Sequence, residues 1–244
     1  MRKLQEVTVY AHRGASKYAL ENTWNAFYKA CEFNVGIELD VQITKDGVVV
    51  VFHDDNLKRL GGKKYKIENI LYEELKELKI GKRWSRRFSN AQIPLAYEVF
   101  QWAKEKQVPL NIEMKNSFSA HPEGPKILAS MLEGLENFHV SSFNPHLLKE
   151  MKQLMPAREM ALIIKKSIPL EAIRKMKWID SIHLHRRLYS LSFLEALQEM
   201  KKNIRIYNII GSEAAMKKIA PELKGIITDY PERITKKLRL PVKR

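Results

Sequence analysis

Val35-Gly36-Ile37-Glu38-Leu39-Asp40-Val41, then Gln42-Ile43-Thr44-Lys45-Asp46-Gly47, then Val48-Val49-Val50-Val51-Phe52-His53-Asp54 is the stretch that decides the fold. The first run reads as a β-strand, and on a strand residues two apart share a face, so Glu38 and Asp40 point the same way. Two carboxylates held that close in apolar surroundings repel and resist desolvation, and a chain that ionises both supplies a cation between them. The second apolar run returns after a turn containing Asp46-Gly47, the signature of a β-hairpin. With Lys45 and Asp46 as the turn residues, Thr44 opposes Gly47, Asp40 opposes Val51 and Glu38 opposes His53. A bulge or a different turn slips this pairing by one or two positions.

Outward from that hairpin, short β-rich runs recur: 7–12, 35–41, 108–115, 138–143, 159–164, 181–185, 204–210 and 225–229. Helical patterns fill the gaps at 23–33, 70–78, 97–106, 124–135, 145–155, 169–176, 191–201 and 212–220. Asn22 or Thr23 suits the first helix start, Asn144-Pro145 the fifth, and Ser212 with Glu213 the last. The hairpin arm at 48–52 stays outside this count, because its short connection cannot make a parallel crossover. Eight βα units predict a single closed (β/α)8 TIM barrel with a β-hairpin insertion after strand 2. In such barrels reacting residues gather at the carboxyl ends of the strands, where His12, Glu38, Asp40, Glu113, Lys115, Ser142, His185 and Asp229 fall. A doubly wound open sheet is the alternative; the Gly-rich phosphate loop that would favour it does not follow the first run.

The chain has 244 residues, 45% hydrophobic and 9% aromatic, with no Ser/Gly/Pro-rich linker. That composition predicts one globular domain over residues 1–244, with about 233–244 as a basic C-terminal tail. No apolar run approaches the ~20 residues that span a bilayer, and no secretory-type segment opens the sequence, so a cytoplasmic protein is expected. The single cysteine, Cys31, cannot form an internal disulfide, in keeping with a reducing compartment. The formal net charge of +15 attracts anions: a phosphodiester, an anionic membrane face or a nucleic acid. Lys79, Lys82, Arg83, Arg86 and Arg87 form one basic cluster, and Arg233, Lys236, Lys237, Arg239, Lys243 and Arg244 another. Both read first as solvated faces, with weak contact to an anionic membrane as the further use and no nucleic acid expected.

His12 and His53 are the general acid–base candidates, since imidazole both takes and gives protons near neutrality. Arg13 offers a cationic fork suited to phosphate oxygens, or a partner for a structural acid. Glu113 and Lys115 repeat the shared-face arrangement along Asn111-Ile112-Glu113-Met114-Lys115, where little room exists for idle charge. Glu113 completes a three-carboxylate set with Glu38 and Asp40, and Lys115 meets a phosphate; an internal Glu–Lys ion pair is the structural alternative. Three carboxylates without cysteine suit one hard divalent cation, Mg2+ or Ca2+. Zinc on either histidine would remove a proton carrier. Glu21 either holds a histidine or merely opens a helix. Ser142, Phe143, His183, His185 and Asp229 read as mouth or packing residues, and Trp84 and Tyr207 as aromatic neighbours without an assigned role.

Taken together, His12-Arg13-Gly14, Glu21-Asn22-Thr23, Glu38-Leu39-Asp40-Val41, Lys45-Asp46-Gly47, His53-Asp54, Ile93-Pro94, Asn111 to Lys115, Ser141-Ser142-Phe143 and Gly225 to Asp229 resemble the glycerophosphodiester phosphodiesterases. The resemblance runs over nearly the whole chain. It implies a (β/α)8 barrel, a divalent cation on Glu38, Asp40 and Glu113, phosphate contacts from Arg13 and Lys115, and acid–base work by His12 and His53. The implied reaction cleaves a small-molecule glycerophosphodiester to glycerol 3-phosphate and an alcohol, with the substrate's own glycerol hydroxyl available as first nucleophile through a cyclic phosphate. A phospholipase D-like lyase that releases the cyclic phosphate, and a non-enzymatic polyanion or membrane-surface binder, are the rivals. Two departures bear on the alcohol pocket: Tyr207-Asn208-Ile209-Ile210 stands where many members read Trp-Thr-Val-Asn, and Leu95-Ala96-Tyr97-Glu98 where they read Thr-Leu-Glu-Glu.

Overall fold

Eight parallel strands close into a ring, with an apolar face packed under the surrounding helices and a second face filling the interior, so both faces are covered. The structure, a computed structural model, describes residues 7–212 and 223–238. The strands are β1 (Thr8–His12), β2 (Gly36–Ile43), β3 (Val49–Val51), β4 (Leu110–Met114), β5 (Phe138–Ser142), β6 (Met160–Ile164), β7 (Ser181–His185), β8 (Asn203–Tyr207) and β9 (Leu223–Thr228). The sheet runs β1-β9-β8-β7-β6-β5-β4-β2-β3, and a further β1–β2 pairing closes the barrel. Every pairing is parallel except β2 with β3, which is the hairpin arm. β2 and β4 to β7 are buried at every position. Along β2, Ile37, Leu39, Val41 and Ile43 join the main core, while Glu38, Asp40 and Gln42 take the other face.

The helices are α1 (Trp24–Glu32), α2 (Tyr72–Leu75), α3 (Ala96–Glu105), α4 (Ser117–Ala120), α5 (Gly124–Met131), α6 (Pro145–Leu154), α7 (Leu170–Lys175), α8 (Leu191–Glu199) and α9 (Pro231–Leu238). Asn144 caps α6 as expected, accepting from the His146 N–H at 3.0 Å. The helix expected at 70–78 contracts to α2, and the one expected at 124–135 stops at Met131, ahead of Gly134 with its φ of +72°. The helix expected at 212–220 lies, from residue 213, outside the described residues. Part of the expected tail does not fray: Arg233, Lys236 and Lys237 stand on α9, whose Ile234 and Leu238 are buried. Residues 239–244 lie outside the described residues.

The hairpin register is a correction. Val41 opposes Val51 and Gln42 opposes Val50, one position away from the expected pairing. The Thr44 N–H reaches the Val48 carbonyl at 3.0 Å, so the loop holds Lys45, Asp46 and Gly47 rather than two residues. Gly47 supplies the reason, since its φ of +82° is the left-handed position of a three-residue hairpin loop. Phe52 therefore bonds the Asp40 carbonyl, and His53 does not sit directly opposite Glu38. The insertion is also larger than a hairpin: Val50, Phe52, Leu57, Leu60, Ile67, Ile70, Leu75, Ile80 and Ile93 form a second, smaller core beside the barrel.

Candidate active site

Strand register assembles the acidic group. β1 sets His12 beside Glu38, and β2 sets Asp40 beside Glu113 on β4. Glu38, Asp40 and Glu113 each offer an oxygen, all lying within 4.8 Å of one another, and all three residues are buried. Burial and the neighbouring Asp40 push the Glu38 carboxyl up to about 8, and the same two causes raise Glu113. Asp40 moves the other way: burial works against its charge, but Lys115, Arg13, His53 and an Asn22 hydrogen bond outweigh it. An all-oxygen set in which one member cannot ionise beside the others fits a hard divalent cation.

Two histidines flank this group, each tied to its own aspartate. His12 Nδ1 lies 2.6 Å from Asp229 Oδ1, across 217 residues of chain, and His53 Nδ1 lies 2.8 Å from Asp54 Oδ1. Each contact engages Nδ1 and leaves Nε2 as the free ring nitrogen. Burial opposes a charge on His12, but Glu38 and Asp229 prevail and raise its pKa above the ordinary imidazole value. Asp229 in turn is lowered, chiefly by the His12 hydrogen bond.

The expected phosphate cations stand at the same rim, already engaged. Arg13 gives its backbone N–H to Glu38 Oε2 at 2.7 Å and a guanidinium N–H to Glu21 Oε1 at 2.8 Å, with its Nε 3.4 Å from Asp40 Oδ2. Its φ of +56° and the Gly14 φ of +73° fold the loop onto α1. A Cβ on Gly14 would meet the Ala26 backbone at 2.8 Å. Lys115 lies 2.7 Å from Glu113 Oε1 and 3.3 Å from Asp40 Oδ1, so the internal ion pair weighed as its alternative is formed.

Several supporting residues were not assigned these places from sequence. Of the two expected cap residues, Thr23 takes the N-cap of α1, and Asn22 instead donates to Asp40 Oδ2 at 2.8 Å from a left-handed backbone with φ of +55°. Glu21 holds no histidine: it binds Arg13 and, bidentately at 2.7 Å, Arg59. Arg59 also grips Asp54 through Nε at 2.7 Å, so one guanidinium links the His53 partner to the Arg13 partner. Nothing in the sequence pattern marked Arg59, whose position depends on how the insertion folds; adjacency to His53 did mark Asp54. Ser142 bonds the Met114 carbonyl at 2.7 Å and is structural. Phe143 and Tyr207 line the mouth cavity, whereas Trp84 stands 79% exposed on the insertion.

The mouth itself is a cavity of about 590 Å³ shared by His12, Glu38, His53, Glu113, Lys165 and Arg187 among others. A shallower basin of about 750 Å³ on the insertion side meets it at His53 and holds Lys58, Arg59, Arg83 and Arg86. Such a rim can neutralise a bound anion and pass protons at two separated nitrogens.

Residues 12–233 match the sequence model of the glycerophosphoryl diester phosphodiesterase family. A glycerophosphodiester phosphodiesterase of Caldanaerobacter subterraneus subsp. tengcongensis is 32% identical over 238 residues, covering 95% of this chain and 97% of the relative. The solved glycerophosphodiester phosphodiesterase of Thermotoga maritima superposes with a TM-score of 0.76 at 31% identity, over 94% of this chain and 97% of that one. A phosphodiesterase of Oleispira antarctica, solved with its product sn-glycerol-3-phosphate, superposes with a TM-score of 0.83 at 24% identity, over 95% and 96% of the two chains.

Proposed function

The chain belongs to the glycerophosphoryl diester phosphodiesterase family, and from that premise and the rim geometry we propose that it hydrolyses a glycerophosphodiester to glycerol 3-phosphate and an alcohol, using one divalent cation and two histidines. The observation that carries this reading is the meeting of Glu38, Asp40 and Glu113 with two His–Asp pairs at one end of the barrel. The three carboxylates would hold Mg2+ or Ca2+, which when bound neutralises charge on the phosphoryl oxygens. Arg13 and Lys115 add fixed positive charge beside them, and the phosphate oxygens would compete for the cationic groups that now face carboxylates.

Protons move at the two free Nε2 atoms. One imidazole takes the proton of the attacking hydroxyl as its oxygen bonds to phosphorus; the other gives a proton to the alkoxide that leaves as the second P–O bond breaks. Asp229 and Asp54, both partly exposed, keep each Nδ1 protonated and each ring oriented, the task that an aspartate performs for a catalytic histidine. Where the glycerol hydroxyl attacks first, water opens the cyclic phosphate by the same two groups in exchanged roles. The Oleispira antarctica phosphodiesterase, with sn-glycerol-3-phosphate as its product, has the same barrel and supports this choice of substrate.

Phosphorus NMR of glycerophosphocholine, glycerophosphoethanolamine and glycerophosphoglycerol incubated with the protein tests the reading, with Mg2+, Ca2+ or a chelator. Glycerol 3-phosphate should accumulate with a divalent cation and not with the chelator. Accumulation of the cyclic ester alone would establish the lyase instead, and turnover in chelator would remove the cation.

A further inference from the structure

Opposite the acidic group the barrel mouth changes sign. Around the closed ring, β6 lies four strands from β1 and β7 four strands from β2, so the segments that leave them face His12, Glu38 and Asp40 across the opening. Those segments and the first part of the one leaving β8, residues 165–168, 186–190 and 208–212, contain Lys165, Lys166, Arg186 and Arg187; the acids that follow in the β8 connection, Glu213 and Glu222, lie outside the described residues. Lys165 and Arg187 line the same cavity as His12, Glu38 and Glu113. Among the described residues neither of these two cations makes an ion pair, whereas Arg13 and Lys115 are each shared between two carboxylates.

The wall beneath them is built. His185 is buried, accepts the Arg187 backbone N–H on Nδ1 at 3.2 Å, and meets the Asn208 amide through Nε2 at 3.0 Å. The Tyr207 ring packs edge-on to it at 5.2 Å, and the Tyr207 hydroxyl donates to the Ile164 carbonyl at 3.3 Å. Burial, then Arg187, Arg186 and Lys165, lower the His185 pKa from the ordinary imidazole value. Exposed lysines and arginines are commonly just solvated. These converge from separate strands on the one cavity that also holds His12, Glu38 and Glu113, and Asn208 stands in the segment that departs from the common family pattern.

We propose that this wall is a second anion subsite, so that the preferred glycerophosphodiester carries a further phosphate or carboxylate on the substituent that crosses the mouth toward Lys165 and Arg187. The inference rests on the hydrolase reading above and deepens it by naming the substrate class. A trimethylammonium head group, as in glycerophosphocholine, would meet like charge there.

The test compares kcat/KM on glycerophosphoglycerol phosphate, glycerophosphoglycerate, glycerophosphoglycerol and glycerophosphocholine at saturating Mg2+ or Ca2+. Wild-type protein should prefer the first two over glycerophosphocholine by about tenfold, each exposed pairing contributing a few-fold. The phosphate and carboxylate arms separate the two sources of charge. Lys165→Glu combined with Arg187→Glu should lower the anionic-to-choline ratio by a further factor of about ten or more, with Lys165→Gln plus Arg187→Gln between the two. Lys104→Glu, an exposed reversal on α3, should keep the wild-type ratio. A wild-type enzyme that turns over all four diesters without preference, or a preference unmoved in the double variants, would overturn the subsite. No turnover of any diester with either cation would overturn the hydrolase reading and the subsite with it.

Discussion

Glu38 is buried between a histidine and two other carboxylates, and its resistance to ionisation links metal uptake to pH. Its folded pKa of about 8 lies above the ordinary 4.5, so the cation-free folded state holds a proton that the unfolded chain gives up. That contribution to stability is fully present below the unfolded value and is lost as pH rises through about 8. The cation-free protein should therefore lose thermal stability between pH 6 and pH 9, and a divalent cation should stabilise it more at the higher pH; differential scanning calorimetry with and without Mg2+ reads both. A cation increment that shrinks as pH rises would contradict this. At the histidines, His12→Ala and His53→Ala should each lower kcat by about 10²- to 10⁴-fold while leaving circular dichroism and metal binding in place. Asp229→Asn should lower kcat by about 10²-fold with little change in KM, because Asn no longer enforces the Nδ1–H tautomer. Wild-type turnover in His53→Ala would remove its acid–base role.

Among the elements, the loop after β1 and the hairpin after β2 deliver the site. Gly14 combines a left-handed φ with contact against the Ala26 backbone, and it immediately follows His12 and Arg13. Gly14→Ala should cost about 1–3 kcal/mol of stability and shift both neighbours. A fall of several degrees in Tm together with a drop in kcat is the expected pattern. A fall in Tm alone would mean that the loop geometry is not what places His12. The strands were legible because period-two polar positions inside apolar runs mark barrel interiors, and every expected run overlaps an observed strand. The hairpin register was legible only to within one residue, since Asp-Gly serves both two- and three-residue loops and the choice rests on which residue takes positive φ. The choice between Asn22 and Thr23 has a related reason: both suit a helix start, and only the fold gives the cap to Thr23 and turns Asn22 toward Asp40.

Across the whole molecule, distant segments supply one rim: His12, Glu38, His53, Glu113 and Asp229 come from five separate stretches of chain. The acids and histidines could be read from sequence because their chemistry is costly to bury without a purpose. Arg59, the Asp229 contact and the cationic wall could not, because each depends on the closure of the ring or the packing of the insertion. Arg86 illustrates the same point within a basic cluster read as solvated, since it donates to the Arg59 carbonyl at 3.0 Å and ties the insertion to the site. The most direct measurement is anomalous diffraction from crystals grown with Mn2+ in place of Mg2+. One peak should lie within bonding distance of carboxylate oxygens from Glu38, Asp40 and Glu113, and it should vanish in Glu113→Gln. An active protein whose Mn2+ sits elsewhere, or that shows no peak among these three side chains, would contradict the account.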